Sequence, residues 1–173
     1  MPPSPSQELP IDRVDERDQV IGVIARKDVF AEHASFRVAH VLVINWVGEL
    51  LLQRLSPSRE RHPGLWGTSV AAYVRSGETY EQAASRRLRE ELGIEPESLS
   101  SIGKTVMKDK GCQKHIGIFV ARDDGPFAPD PDQIAELRFL AMLEIEHRLE
   151  REPKQFTPTF RKVFAFFCTP GDW

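Results

Sequence analysis

The sequence predicts an α/β protein in which a mixed β-sheet forms part of a layered sandwich. Three observations support this fold class. Most of the chain from about residue 20 to residue 140 consists of short runs rich in Val, Ile, Leu and aromatic residues, which are typical of strands. One central segment shows the four-residue spacing of an amphipathic helix, and two late segments are also helix-like. Many strands with a few interspersed helices favour a mixed sheet covered by helices.

The composition is that of an ordinary globular domain. The 173 residues are 40% hydrophobic and 28% charged, and the formal net charge is −3. The near-balanced charge argues against a general nucleic-acid-binding protein, and no apolar run approaches the length of a membrane span. The start, MPPSPSQELP, lacks the basic region and the apolar core of a secretory signal.

The domain organisation follows from these features. We expect a disordered lead over residues 1–18, a single domain over residues 19–168, and a cytoplasmic location. The two cysteines, Cys112 and Cys168, do not form a closely spaced pair. They therefore indicate neither a zinc site nor a disulfide framework.

The strands are predicted in chain order. VIGVIARKDVF is a strand that runs into a turn, and RVAHVLVINWVGELLLQRL is a hairpin whose turn contains Asn45 and Gly48, two residues that tolerate turn conformations. Further strands are predicted within LWGTSVAAYV, SIGKTVM, HIGIFVA and IAELRFL. The polar segments SPSRERHPG and DDGPFAPDPDQ are predicted loops.

The strongest helix prediction covers Thr79 to Leu92. Its apolar residues recur every four positions, Gly93 is a natural stop, and Pro96 prevents continuation. MLEIEHRLERE is a second predicted helix. A third opens at Thr157, with proline in its first turn.

The central helix has a charged flank. With its apolar stripe facing the core, Arg87 and Glu91 lie together, Glu90 lies beside them, Arg86 lies one turn from Glu90, and Glu78 precedes the first turn. Such a carboxylate cluster suits Mg²⁺, which is often shared with substrate phosphates. The same residues are also compatible with plain surface ion pairs of little energetic value.

The spacing of these residues closely resembles the Nudix box. The family pattern is Gly, five residues, Glu, seven residues, Arg-Glu, an aliphatic residue, any residue, Glu-Glu, any residue, Gly and an aliphatic residue. Here Glu78 is followed after seven residues by Arg86, and Glu90, Glu91 and Gly93 match the end of the pattern. The resemblance covers most of the chain from about residue 20. It implies the Nudix fold, an α/β/α sandwich, and Mg²⁺- or Mn²⁺-dependent attack on a small-molecule diphosphate.

The chain departs from the Nudix pattern at two positions. Ala72 replaces the leading Gly, whose backbone carbonyl commonly binds metal, and Ala can still supply that carbonyl. Arg87 replaces the Glu of the Arg-Glu pair. This change removes a carboxylate and adds a cation, so we expect a weaker metal site. The resemblance then leaves Glu90, Glu91 and Ala72 as metal ligands, with Glu78, Glu90 and Glu91 as candidate catalytic residues.

The chain also resembles the isopentenyl-diphosphate isomerase branch of this superfamily. The residues that carry this resemblance are DERDQVIGVIARKDVF, ELLLQRLSPS, GLWGTSVA, the two adjacent arginines and FTPTF. By resemblance, Arg26, Arg59 and Arg87 form a diphosphate clamp, and Glu91 binds Mg²⁺. Arginine suits this role because its planar fork donates two hydrogen bonds to phosphate oxygens. For Arg26 and Arg59 the alternative is a solvated loop cation.

The residues that perform the isomerase chemistry are missing. Ala71 stands where those enzymes have a cysteine, and Tyr73 stands where they have a histidine. Gln113 and His115 replace an acidic metal-binding pair. Isomerase activity is therefore the least favoured of three hypotheses.

The favoured hypothesis is a hydrolase that cleaves a diphosphate linkage in a nucleoside-diphosphate-type or related substrate. Its general base would be Glu78, His115 or a loop acid such as Glu136 or Asp132. The second hypothesis is a non-catalytic Nudix-fold module that binds a diphosphate ligand. Tyr73, Trp66 and Phe119 are candidates for stacking on a base or for ordinary core packing. A homodimer through the FRKVFAFF stripe is also left open.

Overall fold

The computed structural model describes residues 8–170. It contains nine strands and three α-helices within that range. The strands are β1 (Pro10–Val14), β2 (Val20–Ala25), β3 (Phe36–Ile44), β4 (Leu50–Leu55), β5 (Trp66–Gly67), β6 (Val70–Tyr73), β7 (Leu99–Asp109), β8 (Cys112–Arg122) and β9 (Ile134–Leu140). The helices are α1 (Tyr80–Leu92), α2 (Met142–Arg151) and α3 (Pro158–Cys168). All predicted strands and helices are therefore found in the predicted segments.

Strand β3 is the centre of the main sheet. It pairs in parallel with β8 along its whole length, and β8 pairs with β7. On its other edge β3 pairs with β6 over residues 38–41, but it meets β4 only at the Ile44–Leu50 pair. Strand β4 then pairs with β5 and β9. The sheet therefore divides beside β3, between β6 and β4, and the predicted mixed sheet is confirmed.

The two faces of the sheet carry separate hydrophobic cores. On β3, Val41 and Val43 face the core formed with Leu88 and Leu92 of α1. Leu42, one residue along, belongs to the other core, which includes residues of α2 and α3. This alternation is the two-residue period of a strand that is buried on both sides. The result is the predicted α/β/α sandwich.

Helix α1 is bounded by local signals that the sequence displays. Thr79 caps its N-terminus in a reciprocal capping box with Gln82. Gly93 ends the helix in the left-handed region, with φ of 67°, a conformation that glycine adopts at little cost. In α3, the hydroxyl of Thr157 accepts from Phe160 N, as expected for an N-cap before proline.

The N-terminal segment differs from its prediction. Residues 10–14, inside the predicted disordered lead, form β1, which pairs with β2. The side chain of Asp18, between the two strands, receives hydrogen bonds from Arg37 Nε (2.6 Å), Tyr80 Oη (2.9 Å) and Lys104 Nζ (2.9 Å). These contacts attach the small β1–β2 sheet to β3, α1 and β7. Residues 1–7 lie outside the described residues.

Two further findings bear on the predictions from composition. Over residues 8–170, no helix is both long and apolar enough to cross a bilayer. Cys112 is buried, Cys168 is exposed, and both thiols are free.

Candidate functional site

A cleft of about 900 Å³ lies where the sheet divides. Residues from β3, β4, β6, α1 and the loops around them line it. Basic side chains outnumber acidic ones, and the cleft is therefore suited to an anionic ligand. The basic lining residues are Arg26, Lys27, Arg59, Arg61, Arg75, Arg86, Arg87, Lys110 and Lys114, and the acidic ones are Glu60, Glu91, Asp130 and Asp132.

Glu91 is the buried carboxylate of this cleft, with 2% of its side chain exposed. Its Oε1 contacts the guanidinium of Arg87, four residues earlier on α1, and its Oε2 accepts from Gln53 Nε2 at 3.1 Å. Burial raises the pKa of Glu91, while Arg87 and Gln53 act in the opposite direction. The predicted proximity of Arg87 and Glu91 is found in the structure.

Glu90 and Glu78 are placed differently. Glu90 is exposed and lies within ion-pair distance of Arg75, Arg86 and Arg87. Glu78 accepts two hydrogen bonds from Arg86, of 2.7 and 3.1 Å, and one from Arg75 N at 2.9 Å. Burial alone would raise the pKa of Glu78, but these hydrogen bonds outweigh it and hold the pKa below its ordinary value. Neither Glu78 nor Glu90 lines the cleft with Glu91.

The backbone carbonyl beside the Arg87–Glu91 pair is that of Ala71. Val74 N donates to Arg37 O, so alternation along the ladder places Ala72 opposite Ala39 as a hydrogen-bonded pair. The carbonyl of Ala72 therefore accepts a hydrogen bond from β3 within the sheet. The Ala71 carbonyl points off the edge of β6 and accepts from Arg87 Nε at 3.3 Å. The assignment of Ala72 as the carbonyl ligand therefore does not fit this geometry, whereas Ala71 does.

Arg26 and Arg59 both line the cleft and are half-buried. Neither makes an ion pair with a carboxylate of residues 8–170. The guanidinium of Arg26 lies 4.2 Å from the centre of the Tyr73 ring, and Arg59 donates to Gln133 Oε1 at 3.1 Å. Burial and the charges of Arg87 and Arg26 lower the pKa of Arg59, while Glu91 opposes the shift. These two cations are available to neutralise a bound anion.

The residues present fit one Mg²⁺ ion that binds together with a substrate. Within residues 8–170, no group of three or more His, Cys, Asp and Glu side chains gathers at one point. Mg²⁺ commonly takes only one or two carboxylates and completes its shell with phosphates and water. In addition, Gln53 Oε1 is buried in this region without a hydrogen-bond partner. Glu91, at the cleft, with Glu90 and the Ala71 carbonyl beside it, would be the donors for such an ion after Arg87, which contacts all three groups, moved away.

Two acidic residues of the 123–133 loop lie at the cleft, and one of them was not predicted from the sequence. Asp130 N donates to the Glu91 carbonyl at 3.1 Å, and Asp130 and Asp132 both line the cleft. By contrast, Glu136 is held in ion pairs with Arg54 on β4 and with Arg138 on its own strand, β9. Asp132 was among the predicted candidates, whereas Asp130 was not.

The remaining predicted candidates lie elsewhere. His115 is buried, its Nε2 has no partner in the described chain, and it does not line the cleft. Trp66 and Phe119 belong to the two hydrophobic cores. Tyr73 does line the cleft, but Phe36 stacks against it at 5.4 Å between ring centres.

A buried polar group on the α3 side of the cleft was also missed. Lys114 Nζ donates to Asp109 Oδ2 (3.0 Å) and Thr159 Oγ1 (2.7 Å), and Arg61 binds Asp109 with both terminal nitrogens. These residues come from three separate parts of the sequence. The only local signal was Gly111, which closes the turn between Asp109 and Lys114.

Comparison with known proteins agrees with this architecture. The profile of the NUDIX domain matches residues 35–160. An uncharacterized Nudix hydrolase of Yersinia pestis is 30% identical over 159 residues, which are 92% of this chain and 85% of that protein. The isopentenyl-diphosphate Delta-isomerase of Nocardia farcinica is 29% identical over 90% of this chain and 92% of that enzyme.

A solved structure shows the same fold. The crystal structure of DR0079 from Deinococcus radiodurans superposes with a TM-score of 0.73 at 29% identity, covering 83% of this chain and 90% of that one. The predicted resemblance to the Nudix superfamily and its isomerase branch is confirmed by these relatives. The chain belongs to the Nudix family.

Proposed function

We propose that this Nudix protein is a Mg²⁺-dependent hydrolase that cleaves a diphosphate linkage in a nucleoside-diphosphate-type or related small molecule. The observation that carries the proposal is the meeting of Arg26, Arg59 and Arg87 with the buried Glu91 in one cleft. Two of these arginines have no carboxylate partner in the described chain. A ligand with two adjacent phosphates would neutralise them and accept their planar donor groups.

Each residue then has a stated role. Arg26 and Arg59 bind phosphate oxygens and orient the diphosphate along the cleft. Arg87 donates to the phosphate nearest Glu91 when it leaves that carboxylate. Glu91 and Glu90, with the Ala71 carbonyl, would hold Mg²⁺. When bound there, Mg²⁺ would polarise the phosphoryl group and lower the pKa of a bound water.

The base that takes the proton from the attacking water is assigned to the 123–133 loop. Asp130 and Asp132 line the cleft, and Asp132 is exposed to it. Of the other candidates, Glu78 is held by Arg86, Glu136 by Arg54 and Arg138, and His115 does not line the cleft. Asp132 is therefore the best-placed base.

The Arg87–Glu91 contact favours a second candidate, a non-catalytic module that binds a diphosphate. In that case Arg87 permanently occupies the carboxylate that a metal would need. The isomerase alternative has weaker support, because Ala71 and Tyr73 carry neither a thiol nor an imidazole in the cleft. A homodimer remains a prediction, as does a cytoplasmic location.

Hydrolysis of phosphoanhydride bonds by the purified protein tests these alternatives. The panel would contain nucleoside di- and triphosphates, nucleotide sugars, dinucleotides and prenyl diphosphates, each with Mg²⁺ or Mn²⁺. The hydrolase proposal expects one class to be cleaved and Glu91→Gln to lose at least about 100-fold in kcat, the scale of a residue used in the transition state. Arg148→Gln, on the surface of α2, is the matched control. Binding without turnover would overturn the hydrolase proposal in favour of the binding module.

A further inference from the structure

The loop between β4 and β5, residues 56–65, carries Arg59 to the cleft. Backbone hydrogen bonds hold the two ends of this loop together. Leu55 N donates to Leu65 O at 2.8 Å, and Gly64 N donates to Leu55 O at 3.0 Å. These bonds fix where the loop begins and ends, so the position of the residues between them depends on the contacts of their side chains.

Arg61 fastens the middle of this loop to the turn between β7 and β8. Its Nη1 and Nη2 donate to the two carboxylate oxygens of Asp109, at 3.0 and 2.7 Å. We call this pair the Arg61–Asp109 clasp. Two parallel charged hydrogen bonds fix the orientation of both groups as well as their separation. Arg61 lines the cleft, whereas Asp109 does not, so Asp109 acts on a ligand only through the cations that it holds.

Asp109 is itself anchored to the body of the domain. Lys114 Nζ donates to Asp109 at 3.0 Å and to Thr159 Oγ1, in the first turn of α3, at 2.7 Å. Burial alone would raise the pKa of Asp109, but the hydrogen bonds from Arg61 and Lys114 outweigh it and lower the pKa. Asp109 therefore stays charged at neutral pH and offers the loop a fixed anionic partner.

Arg61 also contacts the segment that carries the other unpaired arginine of the cleft. Its guanidinium lies 4.8 Å from the centre of the Phe30 ring, a cation–π distance. Phe30 follows the short 3₁₀ turn Arg26–Asp28 and packs edge-on against Phe36 of β3. One guanidinium therefore contacts both segments from which Arg26 and Arg59 reach the cleft.

Arg59 has a weaker attachment of its own. Its guanidinium donates to the neutral amide oxygen of Gln133 at 3.1 Å, and a neutral acceptor binds a cation less strongly than a carboxylate does. Since Arg59 precedes Arg61 by two residues, movement of the loop at Arg61 would also move Arg59. A mobile Arg59 would have to be ordered when the ligand binds, and that ordering reduces affinity.

We propose that Arg61 is a positioning residue, and that its clasp on Asp109 holds Arg59 ready for the phosphates before the ligand binds. This inference rests on the proposed diphosphate site, because Arg59 is positioned for that ligand. Arg61 lines the cleft too, so the alternative is that it binds a phosphate directly. The two roles differ in whether the effect of Arg61 depends on Arg59.

Calorimetric titration of methylenediphosphonate with Mg²⁺, in a double-mutant cycle, measures that dependence. Arg61→Gln should weaken binding about fivefold in the otherwise wild-type protein, the scale of ordering one long side chain. In the Arg59→Met background the same change should weaken binding less than about twofold, because no guanidinium is left to position. Arg61→Lys keeps a charged bond to Asp109 and should recover part of the affinity. Lys110→Met, which removes another cation from the Phe30 ring, is the control for loss of charge.

Asp109→Asn separates positioning from electrostatic attraction. The change removes a negative charge beside the cleft, so charge alone would make an anionic ligand bind more tightly. The clasp predicts the opposite result, with binding about fivefold weaker because Arg61 loses its charged partner. Equal or tighter binding by this variant would overturn the proposal.

The outcomes separate this inference from the proposed function. If methylenediphosphonate does not bind the wild-type protein, or binds Arg59→Met equally well, the arginine site is wrong and the positioning role fails with it. If Arg59 matters but Arg61→Gln weakens binding equally in both backgrounds, only the positioning role is overturned. A loss no larger than that of Lys110→Met also overturns it. If Asp109→Asn does not fold, the Arg61→Gln cycle decides, since that side chain is 30% exposed on a loop.

Discussion

The guanidinium of Arg87 contacts the buried carboxylate of Glu91 one helical turn further along α1. The same guanidinium also reaches Glu90 at 3.2 Å and the Ala71 carbonyl at 3.3 Å. A cationic side chain therefore occupies the point where the family pattern places a carboxylate. A metal ion that binds Glu91 must share it with Arg87 or displace it.

Restoring the family residue at this position should make stability dependent on metal. Arg87→Glu places a third carboxylate beside Glu90 and Glu91, and like charges repel when no cation lies between them. We expect a lower Tm than wild type in EDTA and a rise on adding Mg²⁺, because a ligand that binds only the folded state stabilises it. Differential scanning calorimetry with and without Mg²⁺ measures both. Arg87→Gln is the control, and an Mg²⁺ response equal to that of Arg87→Glu would contradict the prediction.

Glu91 should set an acidic limit to activity without stabilising the fold. Burial raises its pKa, so the carboxylate gains a proton at a pH above the ordinary glutamate value of 4.5. At neutral pH, folding must therefore bury a charged carboxylate, which lowers the free energy of unfolding. This cost disappears as pH falls through the raised pKa. We expect kcat/KM to fall in that same range.

The stability of Glu91→Gln checks the sign of this effect. The amide is neutral at every pH, and Arg87 keeps its contacts with Glu90 and Ala71. In urea titrations at pH 7, the free energy of unfolding of Glu91→Gln should therefore equal or exceed that of wild type. The difference between the two proteins should shrink as the pH is lowered. A clear loss of stability at pH 7 would show that the ion pair outweighs the burial of the carboxylate.

The unpaired arginines should contribute to binding more than to stability. Arg26→Met and Arg59→Met should each weaken binding of methylenediphosphonate about ten- to a hundredfold, from about 1.5–3 kcal/mol per lost charged hydrogen bond. Arg59→Lys should recover only part of the loss, because an ammonium lacks the planar fork. Isothermal titration calorimetry measures these affinities. Arg148→Met, whose side chain pairs with Glu144 on α2, should bind like wild type.

Glu78 should act as a structural residue. Glu78→Gln weakens its two bonds with Arg86 and the bond from Arg75 N, in a partly buried setting. We expect the free energy of unfolding to fall by about 1–2 kcal/mol, typical of lost hydrogen bonds to a charged group. Chemical denaturation measures this, and kcat should stay near the wild-type value. A loss of kcat as large as that of Glu91→Gln would instead place Glu78 in catalysis.

Local signals made the fold predictable. Thr79, Gln82 and Gly93 specify both ends of α1 through contacts within a few residues, and Asn45 and Gly48 specify the β3–β4 turn. The prediction of a disordered start was wrong for residues 10–14, because β1 is ordered by pairing with β2 and by burial of Ile11 and Val14, which the proline-rich segment before it does not indicate.

The site was only partly predictable. The i, i+4 spacing of Arg87 and Glu91 follows from helix geometry alone, so their contact was foreseen. The shared contacts of Lys114 with Asp109 and Thr159 depend on the docking of α3 beside the β7–β8 turn, and no local pattern reports that packing. Which of the Ala71 and Ala72 carbonyls points away from β3 also depends on the register of β6 with β3. A shift of one residue in that register would exchange the two.

The attachment of the β1–β2 sheet through Asp18 has a consequence for recombination and protein engineering. The NUDIX profile spans residues 35–160, whereas Arg26 and Asp18 precede it. A chimera that exchanged only the profile region would separate Arg26 from Arg59 and Asp18 from Arg37. Under the proposed function, the N-terminal hairpin and the body of the domain both contribute to ligand preference, so the two should be transferred together.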